Sequence, residues 1–176
     1  MRKHLLIIPA IIFLFIFLAF FYLLITDRNP SELPSNLLNK NVPEFETESL
    51  FKNRNFISSK EFGNKITLVN FFATWCRPCR DEHVNIMRFS DEKGLRVIGI
   101  NYKDDSEKAK LWLKKLGDPY SDVAIDKNGR IAIDWGVYGI PETFVVDSEG
   151  IIKYRHVGPV TTNIFLEINL LIKAIK

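Results

Sequence analysis

The chain has 176 residues, enough for one ordinary domain and an appendage, and 47% of them are hydrophobic, so a sizeable core can form. The net charge is +3 and charged residues make up 26%, near the soluble average. Arg2 and Lys3 supply part of that excess and the remainder is close to neutral, so nothing points to a nucleic-acid partner.

Residues 1–4, MRKH, are expected as a short cytoplasmic N-terminus. Leu5 to Ile25 follow without a single charge. An α-helix needs about 20 such residues to cross the hydrocarbon core. A secretory signal has a shorter apolar region, about 7–15 residues, and then small residues at a cleavage site. The exit LLITDRNP has no such site, so 5–25 reads as an uncleaved transmembrane anchor, with a cleaved signal as the other reading. Arg2, Lys3 and His4 precede the span, whereas Asp27, Arg28 and Glu32 after it roughly cancel. The positive-inside rule then keeps the N-terminus in the cytoplasm and exports the rest. In a bacterium this is a single-pass inner-membrane protein with its C-terminal domain in the periplasm. Pro9 falls in the first turns of the span, where a helix tolerates it best. Residues 26–42 are polar with two prolines and read as a linker; 43–176 form the domain.

Along that domain, VPEFETESL and NRNFIS look like short edge strands or extended arms. SSKEFGN reads as one helical turn capped by Ser58 or Ser59. Ile66 to Ala73 is a nearly continuous apolar run, the pattern of a strand buried on both faces. CRPCRDEHVNIMRFSDEKG follows as a helix ending at Gly94. Leu95 to Tyr102 is a second buried strand. DSEKAKLWLKKLG is an amphipathic helix capped by Asp105 or Ser106 and closed by Gly117, with Leu111, Leu113, Leu116 and nearby Trp112 on its apolar side. SDVAID is a short strand or arm, and NGRIAIDWGV a short helix or turn. TFVVD and IIKYRHVG, joined by Ser148 to Gly150, form an antiparallel hairpin. TTNIFLEINLLIKAIK closes the chain as a helix capped by Thr161 or Thr162, with Phe165, Ile168, Leu171, Ile172 and Ile175 at helical spacing. This order of strands and helices predicts an α/β fold, a mixed central β-sheet with helices on both faces.

Cys76 and Cys79 are the only cysteines. Export favours disulfides, but a C-x-x-C bridge closes too short a loop to restrict the unfolded chain much, so the pair reads as chemical rather than structural. A buried strand delivers Cys76 to a helix start. Unpaired N–H groups and the helix dipole there stabilise a thiolate, which lowers cysteine pKa values from about 8.5 to about 3.5–7.5. Arg77 and Arg80 add positive charge. Cys79 lies one turn deeper. Cys76 is therefore expected to attack a partner disulfide, and Cys79 to resolve the mixed disulfide. Pro78, as the third residue of a helix opening at Cys76, does not break it.

Other uses of this spacing fare worse. Residue 80 is Arg, not His, so this is no c-type haem attachment motif. A zinc site needs about four ligands; His83 could add a third, but a His there is more simply a surface or packing residue. No metal and no cofactor are expected. Trp75 is expected to shield the thiolate and form part of a partner-binding lip, the alternative being a core residue. In GVYGIPETFVVD, Pro141 directly precedes an apolar strand. A cis Ile140–Pro141 bond would expose backbone groups for docking an extended peptide, whereas a trans bond would make it an ordinary turn. Glu142 is expected near the cysteines, where a partly buried carboxylate can move the Cys79 proton; the plain alternative is a surface glutamate.

WCRPC after a buried strand, with IP before a later strand, resembles the thioredoxin fold over about residues 43–176. ATWCRPCRDEH and GVYGIPETFVVDSEGIIKYRHVG are more narrowly similar to the membrane-anchored thioredoxin-like proteins of cytochrome c maturation, the CcmG/DsbE type. That resemblance implies a thioredoxin fold preceded by one N-terminal transmembrane helix. It implies a periplasmic thiol–disulfide reductase that keeps the haem-attachment cysteines of apocytochrome c reduced. Its partners would be apocytochrome c or a cytochrome-maturation thiol protein, with electrons resupplied by a membrane donor of the DsbD or CcdA type. Cys76, Cys79, Pro141 and Glu142 match the family pattern residue by residue; Trp75 and Glu82 match more loosely. Ordinary thioredoxins carry a buried Asp six residues before the first cysteine. Here that residue is Asn70, which cannot take a proton, so Glu142 is the first choice of acceptor and Glu82 the second. The competing readings are a general periplasmic oxidoreductase or one serving copper-site or spore-type proteins, and an anchored chaperone that holds apocytochrome without redox chemistry. A strong oxidant and a peroxidase are disfavoured.

Overall fold

The computed structural model describes residues 2–25, 37–51 and 55–175, with side chains in the first helix from 8 to 22. The chain divides into two compact units, Met1–Leu33 and Pro34–Lys176. The first contains helix α1, Arg2–Ile25, with Pro9 inside it. Its described side chains are uncharged and exposed, and Phe17 stacks on Phe21. Among the described residues, no helix is long and apolar enough to cross a membrane. Most of the expected linker, residues 26–36, lies outside the described residues.

The second unit is built around β3, Ile66–Phe72, in which every residue is buried. Such a strand needs cover on both faces and both edges. β4, Leu95–Tyr102, lies parallel on one side of it; β6, Glu142–Val146, lies antiparallel on the other. β5, Asp122–Asp126, extends the parallel half, and β7, Ile152–Val157, completes a hairpin with β6. The order is β5-β4-β3-β6-β7. Side chains alternate in β3. Leu68 and Phe72 face a core shared with α2 (Arg77–Ser90), α3 (Ser106–Leu116) and α5 (Thr162–Ala174). Val69 and Phe71 face a second core with Trp135, Phe62 and α4 (Arg130–Asp134). Each fully buried aromatic or aliphatic side chain contributes about 1.5–3 kcal/mol.

β1 (Glu46–Glu48) and β2 (Phe56–Ser58) pair only with each other. They strap the free edge of β5 through Leu50 N–H to Val123 O (2.8 Å) and Thr47 Oγ1 to Ile125 O (2.6 Å). Residues 39–42, expected as linker, instead bond to the β6–β7 turn: Asn39 N–H donates to Ile152 O and Val42 N–H to Gly150 O.

Several local details differ from expectation. α2 stops at Ser90, not Gly94; Glu92 and Leu95 N–H groups close successive turns, and Gly94, at φ 81°, redirects the chain into β4. In α3, Leu111 is 66% exposed, while Ala109, Trp112 and Leu113 pack inward. Those three sit at i, i+3 and i+4, and Leu111 falls off that stripe. The caps are Ser58, Asp105 and Thr161, each accepting a backbone N–H. The short α4 is capped from outside, its Ile131 and Ala132 N–H groups donating to the Asp126 carboxylate.

Candidate active site

β3 ends at Phe72 and the chain turns at once, Cys76 N–H donating to Ala73 O. Cys76 is the N-cap of α2 with extended backbone, so Arg77 is the first helical residue and Pro78 the second, not the third. The Cys79 N–H donates to Cys76 Sγ at 3.1 Å. An orphan donor of the helix start is thus aimed at the sulfur, as thiolate stabilisation requires. The two sulfurs form a disulfide. Cys76 is 5% and Cys79 2% exposed, while Arg77, Pro78 and Arg80 are at the surface.

Asp104 holds the turn before the cysteines. Its carboxylate accepts from Thr74 N–H (2.6 Å), Thr74 Oγ1 (2.8 Å), Asn101 Nδ2 (3.1 Å) and Asp105 N–H (2.8 Å). The adjacent Lys103, at φ 45°, offers its carbonyl to Trp75 Nε1 at 3.2 Å. Trp75 is 59% exposed, so it is not a core residue but a fixed ring on the rim beside Cys76.

The second loop meets the first. The Ile140–Pro141 bond is cis, and Ile140 O lies 3.7 Å from Cys76 Sγ. Glu142 is fully buried. Its Oε2 accepts from Arg155 Nε (2.8 Å) and Nη2 (2.7 Å), and its Oε1 from Tyr138 N–H (3.2 Å). Arg155 also donates to Gly136 O and lies over the Tyr138 ring. Glu142 and Arg155 thus tie down the 136–141 loop. Burial raises the Glu142 carboxyl above the usual range, and the Arg155 charge opposes the rise.

Glu82 is three residues after Cys79 and therefore on the same face of α2. It is buried, with Oε1 accepting from Asn70 Nδ2 (2.8 Å) and Oε2 from Val160 N–H (2.7 Å). Burial pushes its carboxyl up to about 7, against the two hydrogen bonds. Asn70 Nδ2 also donates to Thr143 Oγ1, and Tyr120 donates to Asn70 Oδ1. His83 packs rather than binds: it is buried edge-on to Trp112 with Nε2–H donating to Gly117 O, and burial lowers its pKa. Among the described residues, no group of three or more His, Cys, Asp or Glu could hold a metal. Asp104, Tyr120, Arg155 and Thr143 were not singled out from sequence. Asp104 had one weak signal, a second acid directly before the helix-capping Asp105.

Comparison with known proteins agrees with this geometry. Residues 37–169 match the Redoxin family. The chain is 43% identical over 171 residues to thiol:disulfide interchange protein DsbE of Escherichia coli K12, covering 95% of this chain and 92% of that one. The chain belongs to the DsbE family of thiol:disulfide interchange proteins. Other relatives are DsbE of Allochromatium vinosum (42% over 160 residues, 91% and 87% covered) and CycY of Rhizobium leguminosarum bv. viciae (42% over 140 residues, 80% and 75%). Among solved structures, a thiol:disulfide interchange protein of the thioredoxin family from Chlorobium tepidum TLS aligns with a TM-score of 0.63 at 26% identity, covering 77% of this chain and 94% of that one. A secreted thiol-disulfide isomerase from Corynebacterium glutamicum shares the fold, with a TM-score of 0.66 at 24% identity over 74% and 84%. The thioredoxin-like fold and the family expected from WCRPC and GVYGIPETF therefore hold, and as a DsbE-family member the protein is a thiol–disulfide oxidoreductase.

Proposed function

We propose that this oxidoreductase works as a reductase in cytochrome c biogenesis, keeping the haem-attachment cysteines of apocytochrome c reduced, directly or through a cytochrome-maturation thiol protein. The observation that carries the reading is the placement of the GVYGIPETF loop against Cys76, with Ile140 O at 3.7 Å from its sulfur. An exported C-x-x-C-H segment oxidises, and haem attaches only to free thiols. A reductase in an oxidising compartment needs a narrow partner surface, and the exposed Trp75 ring and the Ile140–Pro141 backbone beside Cys76 supply one.

In the reduced enzyme, the Cys76 thiolate attacks one sulfur of the substrate disulfide. That S–S bond breaks, its electron pair leaves with the other substrate sulfur, and a mixed disulfide forms. Cys79 then passes its proton to the Glu82 carboxylate and attacks Cys76 Sγ. The substrate departs with both sulfurs reduced, and the enzyme is left with the Cys76–Cys79 disulfide. A membrane dithiol donor of the DsbD or CcdA type returns two electrons by the reverse exchange. Glu82 takes precedence over Glu142 as acceptor, reversing the sequence-based order. It meets only neutral donors and sits on the Cys79 face of α2, whereas two guanidinium nitrogens of Arg155 engage Glu142.

The uncharged Leu5–Ile25 run behind Arg2 and Lys3 supports an inner-membrane anchor, with residues 1–4 cytoplasmic and the thioredoxin-like domain beyond the linker working in the periplasm. Trapping tests the whole reading. The full chain with Cys79→Ser is expressed in its bacterial host, thiols are quenched with acid, and proteins disulfide-bonded to Cys76 are identified. Apocytochrome c or a cytochrome-maturation thiol protein is the expected adduct. A broad spread of exported proteins would mean a general oxidoreductase, and full cytochrome maturation by a Cys76→Ser, Cys79→Ser variant would mean a redox-independent holder.

A further inference from the structure

Tyr120 lies between α3 and β5, far along the chain from the cysteines, yet its phenol enters the pocket of Asn70 and Glu82. The ring stacks on Phe72 at 4.9 Å and lies against Gly99, where a Cβ would stand 3.0 Å from Tyr120 Cγ and 2.9 Å from Phe72 Cε1. Gly99 is the β4 register partner of Asn70. The missing side chain lets the ring lie across the strand and bring its hydroxyl 2.7 Å from Asn70 Oδ1.

A primary amide has two orientations related by a half-turn. With Oδ1 toward Tyr120, Asn70 directs both Nδ2 protons at Glu82 Oε1 and Thr143 Oγ1. That arrangement suits a carboxylate, which only accepts hydrogen bonds. The other Glu82 oxygen faces the Val160 N–H, a backbone donor that cannot turn. A protonated Glu82 needs an acceptor for its new O–H, and the turned amide provides one by presenting Oδ1. Turning also points Nδ2 at Tyr120, whose buried proton then loses the carbonyl it now uses. Tyr120 thus opposes the turn.

The geometry points to Tyr120 as a positioning residue for the acid–base step: its hydroxyl locks the Asn70 amide in the orientation that donates to Glu82, and so holds Glu82 as the carboxylate that takes the Cys79 proton. This rests on the assignment of Glu82 as acceptor. Among the described residues, Tyr120 feels the Glu82 charge, and Cys79 precedes Glu82 by three residues on α2. β3 and β6 present neutral Asn70 and Thr143, and the segment before α5 presents the Val160 N–H. Burial, with the charges of Glu82 and Asp118, keeps the Tyr120 phenol un-ionised, so it acts as a donor throughout.

The test is a Tyr120→Phe variant of the full chain, which removes only the hydroxyl. The Glu82 carboxyl carbon is titrated by NMR in the oxidised protein. Its proton affinity is expected to rise about tenfold over the wild type. In the reduced enzyme, release of a mixed disulfide at pH 7 falls by up to the same factor and recovers at higher pH, so the pH profile shifts rather than scales. A merely structural tyrosine would lower stability without moving the titration; an unmoved or lowered midpoint in folded Tyr120→Phe overturns the proposal. Should that variant not fold, the wild type decides. Nuclear Overhauser contacts of the Asn70 amide protons are expected toward Thr143 above the Glu82 midpoint and toward Tyr120 below it. An amide that keeps one orientation through the Glu82 titration would overturn the coupling between Tyr120 and the Glu82 charge, and with it the proposal. The titration needs no substrate: a moved midpoint with an unimpaired Glu82→Gln variant would overturn Glu82 as the acceptor and leave the Tyr120 lock standing.

Discussion

Two buried carboxylates flank the reactive pair, and the protein treats them in opposite ways. Glu142, at the start of β6, is held by Nε and Nη2 of Arg155. Glu82, on α2, is held by an amide and a backbone N–H, with no cation among its hydrogen-bond partners. Burial raises the proton affinity of both. A guanidinium charge opposes that rise and makes Glu142 a strut for the loop carrying Tyr138 and Pro141. Neutral donors oppose it less, so the Glu82 carboxyl titrates near neutrality, where an acid–base group is most useful. Net burial therefore does not distinguish a structural acid from a chemical one; the charge of its partner does.

Removing the partner of the strut is the strongest way to break this contrast. Arg155→Ala leaves Glu142 buried without its cation and should cost about 3–5 kcal/mol, read by urea unfolding near pH 7. A loss below about 1 kcal/mol would show that the pair is not the anchor of the loop. The chemical acid has its own signature in stability. The folded Glu82 carboxyl holds its proton up to about 7, against 4.5 for the free group. The folded state thus binds more protons between those limits, and stability falls as pH rises through that window. The contribution is fully present below about pH 4.5 and lost by a little above 7, about 3 kcal/mol in all. Glu82→Gln should flatten that slope up to about pH 7, whereas Glu142→Gln should remove only the separate contribution of its own raised carboxyl and leave the Glu82 part in place.

Kinetics sharpen the same contrast. Glu82→Gln should slow resolution of a Cys76 mixed disulfide about 100-fold near neutral pH, in line with removal of a general base, and erase the inflection near pH 7. Stopped-flow exchange with a model disulfide would show it. An inflection that survives Glu82→Gln but vanishes in Glu142→Gln would restore Glu142 as acceptor. The smallest expected effect is at the edge of the pocket. Thr143→Val removes the acceptor of one Asn70 proton and should cost about 1–2 kcal/mol, measured by thermal unfolding.

Much of this was legible along the chain because it rests on local rules. The run ITLVNFFA reads as a strand covered on both faces. Cys76 at the junction of that strand with a helix already implied an orphan N–H directed at its sulfur. The caps at Asp105 and Thr161 follow from side-chain chemistry at helix starts. Local spacing misled where several residues compete for one face, as with Leu111, or where a glycine starts a turn after a helix has already ended, as with Gly94. It also ranked Glu142 above Glu82 without access to the partners of either. Their partners, Arg155 and Val160, lie 13 and 78 residues away.

The sequence by itself determined the alternation of buried strands and amphipathic helices, the reactive pair at a helix start, and the motifs that declare the family. These depend on periodicity and on neighbours within a few residues, which the chain order already contains. Only the tertiary structure decided which carboxylate has a cation for a partner and which has neutral donors, that Tyr120 bonds the Asn70 amide, and that Asp104 pins the turn before the cysteines. Those outcomes depend on which polar atoms from β3, β4, β6 and the loops arrive at the same buried point. In a medium that cannot hydrate them, the few partners within about 3 Å set the charge each group can hold.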